Sequence, residues 1–292
     1  MDAVTRLEGM LPREIRERIG TLPKDLTELR VRAGRPIELV TLGGARLCGE
    51  AVRAGEAAQC AHVLCGHSLY AREEELREGY FTVEGGCRVG VCGRMTQADG
   101  RLSLTHIASV CVRVARDVRG AADAVMEALY REGRPLSALI ISPPGLGKTT
   151  MLRDAVRQLS DGTAGRSGVR VGIADERGEL AGCERGVPTL DVGARTDVLD
   201  GCSKRDGMYF LLRSMNPQVI ATDELGRTED VQAVEDVMRA GVRVLATVHA
   251  WDERDASARL GGLEIGRFER LIVLGGKIGE FRRVIRTDEK KE

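Results

Sequence analysis

A chain of 292 residues with 42% hydrophobic content has enough apolar material for one large domain or two ordinary ones, and it needs no covalent staple to fold. Its 44 basic and 44 acidic residues cancel, which excludes a global field that would draw nucleic acid or an anionic membrane surface. No apolar run approaches the roughly 18–20 residues that a membrane-crossing helix needs.

The N-terminal MDAVTRLEGMLPREIRERIG reads as an amphipathic, heavily charged helix over about 4–20 with no signal-peptide apolar region, so the expected location is cytoplasmic. The eight cysteines, at 48, 60, 65, 87, 92, 111, 183 and 202, are spread along a long chain and are expected to be thiols rather than a disulfide framework. Strand-like pieces follow at LTELRVRAG and PIELVTLGG, then a helix is expected over 53–66. That helix contains CAHVLCGH, which brings together Cys60, His62, Cys65 and His67, all zinc-ligand types. The spacing does not suit the usual two separated ligand pairs, and Cys87 and Cys92 make only a loose second pair. Helical spacing instead puts Cys60, Ala61 and Leu64 on an apolar face, where free cysteine behaves as a small hydrophobe. A helix over 71–78, strands within YFTVEGGCRVGVCGR and SVCVRVAR, and a helix over 121–131 complete an expected small α+β domain spanning 1–130.

From about residue 136 the rhythm changes. Strands at SALIISP, VRVGIADE, QVIATDE and VRVLATVHA alternate with helices at KTTMLRDAVRQLS, around DGMYFLLRSM, and at TEDVQAVEDVMRAG. Such alternation predicts an α/β domain, a parallel sheet covered by helices, over 131–292, with the boundary near REGRP at 131–135. The closing TDEKKE reads as a frayed, solvated end.

The stretch LIISPPGLGKTT at 139–150 carries the chemistry: an apolar strand end, a glycine loop and the first turn of a helix. That is the layout of a phosphate-binding loop, the Walker A element. Gly145 and Gly147 permit unusual backbone angles, and the amides from Gly145 through Leu146 and Gly147 to Lys148, Thr149 and Thr150 can turn toward a phosphate at the positive end of the helix. Lys148 is expected to reach the β- and γ-phosphates of ATP, and Thr149 to offer its hydroxyl to Mg²⁺. Ser142 stands where the full pattern begins with glycine, and Pro143 and Pro144 stiffen the turn.

A second apolar strand, 218–222, ends in Asp223-Glu224, the layout of a Walker B element whose carboxylates face the same crevice. Asp223 is expected to hold the metal and Glu224 to polarise a water for attack on the γ-phosphate. Two further strand ends deliver Asp175, Glu176 and Arg177, and Thr247 and His249; Thr247 and His249 share one side of their strand by alternation.

The order of P-loop, acidic box ADERGE, strand-end DE and T-x-H resembles the RecA-like motor ATPases of type II and type IV secretion, and within them the sporulation branch found in endospore-forming bacteria. LTELRVRAGRPIEL, HSLYAREEELREGYFTVEGGCRVGVCGR and DELGRTEDVQAVEDVMRAGVRVLATVHA extend the resemblance over nearly the whole chain. It implies a RecA-like P-loop core behind a smaller α+β domain, ATP hydrolysis with Mg²⁺, and a homo-oligomer, a hexameric ring, acting on membrane proteins of a sporulation channel complex from the mother-cell cytoplasm. It also implies assisting roles for Glu176, His249 and Arg227, and arginine fingers among Arg30, Arg32, Arg35, Arg88, Arg94, Arg113 and Arg116. The TVHAWDE box is shorter than its secretion counterpart.

Two rival functions share the core. A nucleic-acid motor of the RecA type would need a basic track that the neutral balance does not offer, so no nucleic-acid partner is expected. A nucleotide-dependent scaffold would keep Lys148 and Thr149 but has no need of Glu224.

Overall fold

The structure is a computed structural model that describes residues 3–66, 76, 79–83, 85–98, 101–115, 117–163, 165–184, 186–261, 263–276 and 279–288. The chain divides into two compact units, Met1–Arg116 and Asp117–Glu292.

The first unit opens with two helices, α1 (Ala3–Met10) and α2 (Arg13–Ile19), where one was expected over 4–20. Pro12 is the reason: it carries no N–H, so it interrupts one helix yet stands without cost immediately before the next. Strands β1 (Leu26–Arg32), β2 (Ile37–Thr41) and β3 (Gly44–Cys48), helix α3 (Glu56–Leu64), and strands β4 (Tyr80–Val83), β5 (Cys87–Ala98) and β6 (Arg101–Arg113) follow. They form one antiparallel sheet in the order β3-β2-β1-β6-β5-β4. Alternate residues Leu29, Val31, Val89, Val110 and Val112 share a single core with Leu7, Ile15, Ile19, Ala57 and Leu64 of the helices, so the other sheet face is left polar. That face carries ion pairs: Glu28 with Arg30 at 2.7 Å and with Arg113 at 3.7 Å, and Glu38 with Arg32 at 2.6 Å. Arg88 lies over the Tyr80 ring at 3.4 Å, Arg35 and Arg94 are exposed, and Arg116 falls outside the described residues.

Cys60 is fully buried in α3 beside Ala57, Ala61 and Leu64, and burial pushes its thiol up to about 12. A thiol held neutral in a core is a packing residue, not a poised metal ligand. His67 and, but for Leu76, the helix expected over 71–78 fall outside the described residues.

The second unit contains α4 (Asp123–Met126), β7 (Ala138–Ser142), α5 (Lys148–Asp161), β8 (Val171–Asp175), β9 (Thr196–Asp200), α6 (Lys204–Ser214), β10 (Val219–Thr222), α7 (Thr228–Arg239), β11 (Arg243–His249), α8 (Glu253–Arg259), β12 (Arg270–Leu274) and β13 (Phe281–Arg286). Seven strands form one sheet in the order β9-β8-β10-β11-β7-β12-β13, parallel throughout except for β13. Helices cover both faces, which is why β7, β8, β10 and β12 are buried along their whole length and read as continuous apolar runs. Ala138, Ile140, Val171, Ile173 and Leu245 point to a core shared with Met151, Leu152, Ala155, Val156 and Leu159 of α5. Leu139, Ile141, Ile220, Val244 and Val248 point the other way, to a core shared with Met208 and Leu211 of α6 and Val231, Val234 and Val237 of α7. The period-2 alternation of these strands thus separates the side covered by α5 from the side covered by α6 and α7. Strands β9, β12 and β13 extend the sheet beyond those expected from sequence. Among the described residues no helix is long and apolar enough to cross a membrane.

The expected helix over 121–131 is shorter than its pattern: α4, one 3₁₀ turn at Glu127–Leu129, and then extended chain from Tyr130. Together with this difference goes the unit border after Arg116, upstream of the expected 130/131 boundary. Ala122, Val125, Met126 and Leu129 belong to the α5-side core, and the buried Asp154 carboxylate of α5 accepts the Ala122 N–H at 2.9 Å.

Two outcomes follow from this packing. A fragment comprising 117–292 will unfold cooperatively in urea, whereas 131–292 will lose about 1.5–3 kcal/mol for each of the buried side chains Val125, Met126 and Leu129, a loss comparable to a domain's whole stability. In alkylation of the folded protein at pH 8, the exposed Cys92 will react while Cys60, with only about one molecule in 10⁴ as thiolate, will react only after denaturation.

Candidate active site

Because β8, β10, β11, β7 and β12 run in one direction, their carboxyl ends lie along a single edge of the sheet, and each polar strand end identified in the sequence is delivered there. At the end of β7 the chain turns through Pro143 and Pro144 into the glycine loop. Gly145 at φ 81° and Gly147 at φ 92° occupy the left-handed region that other residues avoid. Lys148 is the first residue of α5, so the unpaired N–H groups and positive end of a 14-residue helix face the same space. The loop is braced from one side: the Leu146 carbonyl accepts the N–H of Gly279 at 3.0 Å, from the turn between β12 and β13. Thr150, the third residue of the helix, is half-buried in its first turn.

Strand β11 lies between β7 and β10 and pairs with both, His249 opposite Ser142 and Ala246 opposite Thr222. This inserts Thr247 and His249 between the glycine loop and the Asp223-Glu224 pair. Asp223 Oδ1 accepts hydrogen bonds from Thr247 Oγ1 at 3.1 Å and from Thr149 Oγ1 at 3.4 Å. The Leu225 N–H donates to the Thr247 carbonyl at 2.8 Å, holding the carboxylate turn against β11. Lys148, 5% exposed, points its Nζ at His249 Nδ1, 2.7 Å away. The same Nζ lies 3.4 Å from His249 Nε2, and Nε2 in turn lies 3.5 Å from Glu224 Oε2. Burial lowers the Lys148 pKa, and the Asp223, Glu224 and Glu179 carboxylates pull it back up. Lys148, Thr149, Asp223, Glu224, Thr247 and His249 therefore form one contiguous cluster.

The donor set fits a nucleotide with magnesium. The helix start and an ammonium suit phosphate oxygens, and Thr149 Oγ1 beside Asp223 supplies the hard oxygen ligands that Mg²⁺ takes. No group of three or more His, Cys, Asp or Glu able to hold a metal occurs among the described residues.

Glu176 and Arg227 belong to a second cluster. Glu176 Oε2 is 2.5 Å from Lys204 Nζ and its Oε1 is 3.1 Å from Arg227 Nη1, so both oxygens are engaged and these cations hold the carboxyl below its usual range against the effect of burial. The Arg227 N–H donates to the buried Asp230 carboxylate at the start of α7, leaving a guanidinium that is 61% exposed. Lys204 escaped sequence reading because it stands in the charged run SKRD; its burial at the start of α6 comes only from packing.

Asp175 plays a different part from its neighbour Glu176. It is 1% exposed and accepts N–H groups from Glu179 at 2.9 Å, Leu180 at 3.1 Å and Ala181 at 2.8 Å. Burial pushes its carboxyl up, and these amides oppose the shift. Arg153 of α5 also escaped notice, although a charge among the apolar positions Met151, Leu152, Ala155 and Val156 was a signal available in the sequence.

Comparison with known proteins agrees with this architecture. The fold is similar to that of the ATPase DotB of Legionella pneumophila, with a TM-score of 0.61 and 15% identity over 91% of this chain and 78% of that one. It is also similar to the pilus retraction motor PilT, solved with bound ADP, with a TM-score of 0.60 and 18% identity over 93% and 80%. The protein SEEDLING PLASTID DEVELOPMENT 1 of Arabidopsis thaliana is 30% identical over 146 residues, 49% of this chain and 20% of that protein. Stage III sporulation protein AA of Bacillus subtilis is 40% identical over 261 residues, 88% of this chain and 85% of that protein. The fold is thus that of the RecA-like secretion ATPases, and with the family model for sporulation stage III, protein AA matching residues 2–290, the chain belongs to that family.

Proposed function

We propose that this protein is a Mg²⁺-dependent ATP hydrolase whose turnover drives a membrane complex of sporulation. The observation that carries the reading is the convergence of Lys148, Thr149, Asp223, Glu224 and His249 at one edge of a parallel sheet, beside a glycine loop that opens a helix. In this reading Gly145 to Thr150 bind the phosphates, with Lys148 supplying the charge at the β- and γ-positions. Thr149 and Asp223 would hold the magnesium, which would supply positive charge to the phosphates. Glu224, 42% exposed and next to the imidazole Nε2, orients the attacking water and accepts its proton. His249 links Lys148 to Glu224 and so stands where a γ-phosphate is sensed. Glu176, with both oxygens engaged, acts through Arg227 and Lys204 rather than on water directly.

Membership of the sporulation family supports the setting: a cytoplasmic protein of the mother cell, attached to the membrane through partner proteins. Likeness in fold to secretion motors supports a homo-oligomeric ring, with the exposed Arg227 on hand for a neighbouring subunit's phosphate.

ATP turnover and light-scattering mass, measured together at several concentrations, test the reading. Wild-type protein will hydrolyse ATP with Mg²⁺, and more so as it assembles. Glu224→Gln will retain ATP while kcat falls by about 10²–10⁴-fold. Lys148→Ala will weaken nucleotide binding by roughly ten- to a hundredfold through loss of charge-assisted bonds. Tight binding without turnover in every assembly state, alone or with membrane partners, would instead mark a nucleotide-dependent scaffold.

A further inference from the structure

The acidic loop after β8 is held by two buried side chains from different elements. Asp175, at the end of β8, accepts three consecutive backbone N–H groups, those of Glu179, Leu180 and Ala181. Arg153, on α5 and 6% exposed, holds the same segment by its carbonyls: Nη2 donates to the Glu179 oxygen at 2.6 Å and Nε to the Leu180 oxygen at 2.6 Å. Five backbone groups of residues 179–181 are therefore fixed by one carboxylate and one guanidinium. Leu180 and Ala181 are fully buried, so the backbone groups here cannot be left to water and must find partners within the protein.

Burying both charges is costly: burial lowers the Arg153 pKa and raises that of Asp175, each toward its neutral form. A guanidinium stays charged and its planar fork fits paired acceptors, so it fastens two adjacent carbonyls in a way that lysine does not. Arg153 stands on the helix that begins with Lys148, one turn beyond Thr149 and Thr150. The loop that it grips carries Glu176, whose two oxygens hold Lys204 at the start of α6 and Arg227 at the start of α7. A chain of direct contacts thus runs from the phosphate helix through Arg153 to the acidic loop, and from Glu176 to the arginine that follows Glu224.

We propose that Arg153 is a positioning residue that ties the acidic loop to the phosphate-binding helix, so that Glu176 and Arg227 keep a set place relative to Lys148 and Thr149. The proposal rests on the hydrolase reading for its kinetic consequence, but not for the placement itself. The role assigned to Arg153 is placement, not nucleotide binding. It acts through the backbone of Glu179 and Leu180, so its loss falls on the arrangement of the reacting groups rather than on phosphate affinity.

The test uses the full chain with Arg153→Met, which keeps length and loses every donor, and Arg153→Lys, which keeps the charge and a donor. Hydrogen exchange of amides 179–181 will quicken by about tenfold or more in Arg153→Met, while amides of β7 and β10 remain protected and report an intact fold. ADP affinity, titrated by the fluorescence of a labelled nucleotide, will stay within about threefold of wild type, because Arg153 donates to the Glu179 and Leu180 carbonyls rather than serving as a phosphate ligand. Turnover will fall by about 10²-fold in kcat with little change in KM, as expected for reacting groups misplaced by an ångström. Arg153→Lys will recover part of both the protection and the rate. If exchange at 179–181 is unchanged in folded Arg153→Met, the positioning role is wrong; it is equally wrong if exchange quickens while kcat holds. Should wild-type protein show no turnover under any condition, the hydrolase reading fails by itself, and the exchange and ADP-affinity arms still decide the placement. A global loss of protection in Arg153→Met passes the decision to Arg153→Lys, in which wild-type exchange at 179–181 together with wild-type kcat would overturn the need for a fork of donors.

Discussion

The common direction of six strands governs the second unit. Parallel strands demand a crossover for each return, so helices cover both faces and the backbone's polar groups are paired within the sheet. The carboxyl ends then share one edge, where each strand stops and a side chain is free to be polar. Ser142, Asp175, Asp223 and His249 stand at or just beyond four of those ends. The place of β11 is decisive: by pairing with β7 on one side and β10 on the other, it sets Thr247 and His249 between the lysine of the glycine loop and the carboxylates.

Electrostatics at this edge are a contest between burial and pairing. Lys148 is almost completely buried, which disfavours its charge, yet three carboxylates surround it and favour the charge. The same contest at Asp175 is met by backbone amides, and at Glu176 by two cations. The difference separates two neighbouring acids in one strand-end box into different tasks. Asp175 points into the protein and organises a loop, whereas Glu176 points outward into a cluster that ends at an exposed guanidinium. The first unit solves its own polar burden differently, by covering one sheet face with helices and neutralising the other with Glu28 and Glu38.

Much of this was legible from residue order. The strand, glycine loop and helix at 139–150 carry their own signals, because glycine's backbone freedom and the helical spacing of Met151, Leu152, Ala155 and Leu159 are local properties. The apolar run closing in Asp223-Glu224 was readable for the same reason. Less legible were β12 and β13, whose RLIVL and FRRVIR resemble many short apolar or basic segments, and β9, half-exposed at the sheet's edge. The segment 121–131 looked like a helix belonging to the first domain. Its pattern was apolar, but only the core formed with α5 assigned it to the second unit.

By itself the sequence determined the alternation of strands and helices, the glycine loop and the carboxylates at strand ends, since each depends on spacing and backbone chemistry within a few residues; the break at Pro12 is as local, although the single helix expected over 4–20 overlooked it. Tertiary structure alone decided that β11 separates β7 from β10, that His249 meets Lys148, that Lys204 and Arg227 share Glu176, and that Arg153 grips the loop beyond Asp175. These contacts join residues 24 to 101 positions apart for the site pairs that include Thr247 and His249. Local propensity carries no information at that range. What selects the partners is the order in which strands enter the sheet and the cost of leaving a buried charge without one.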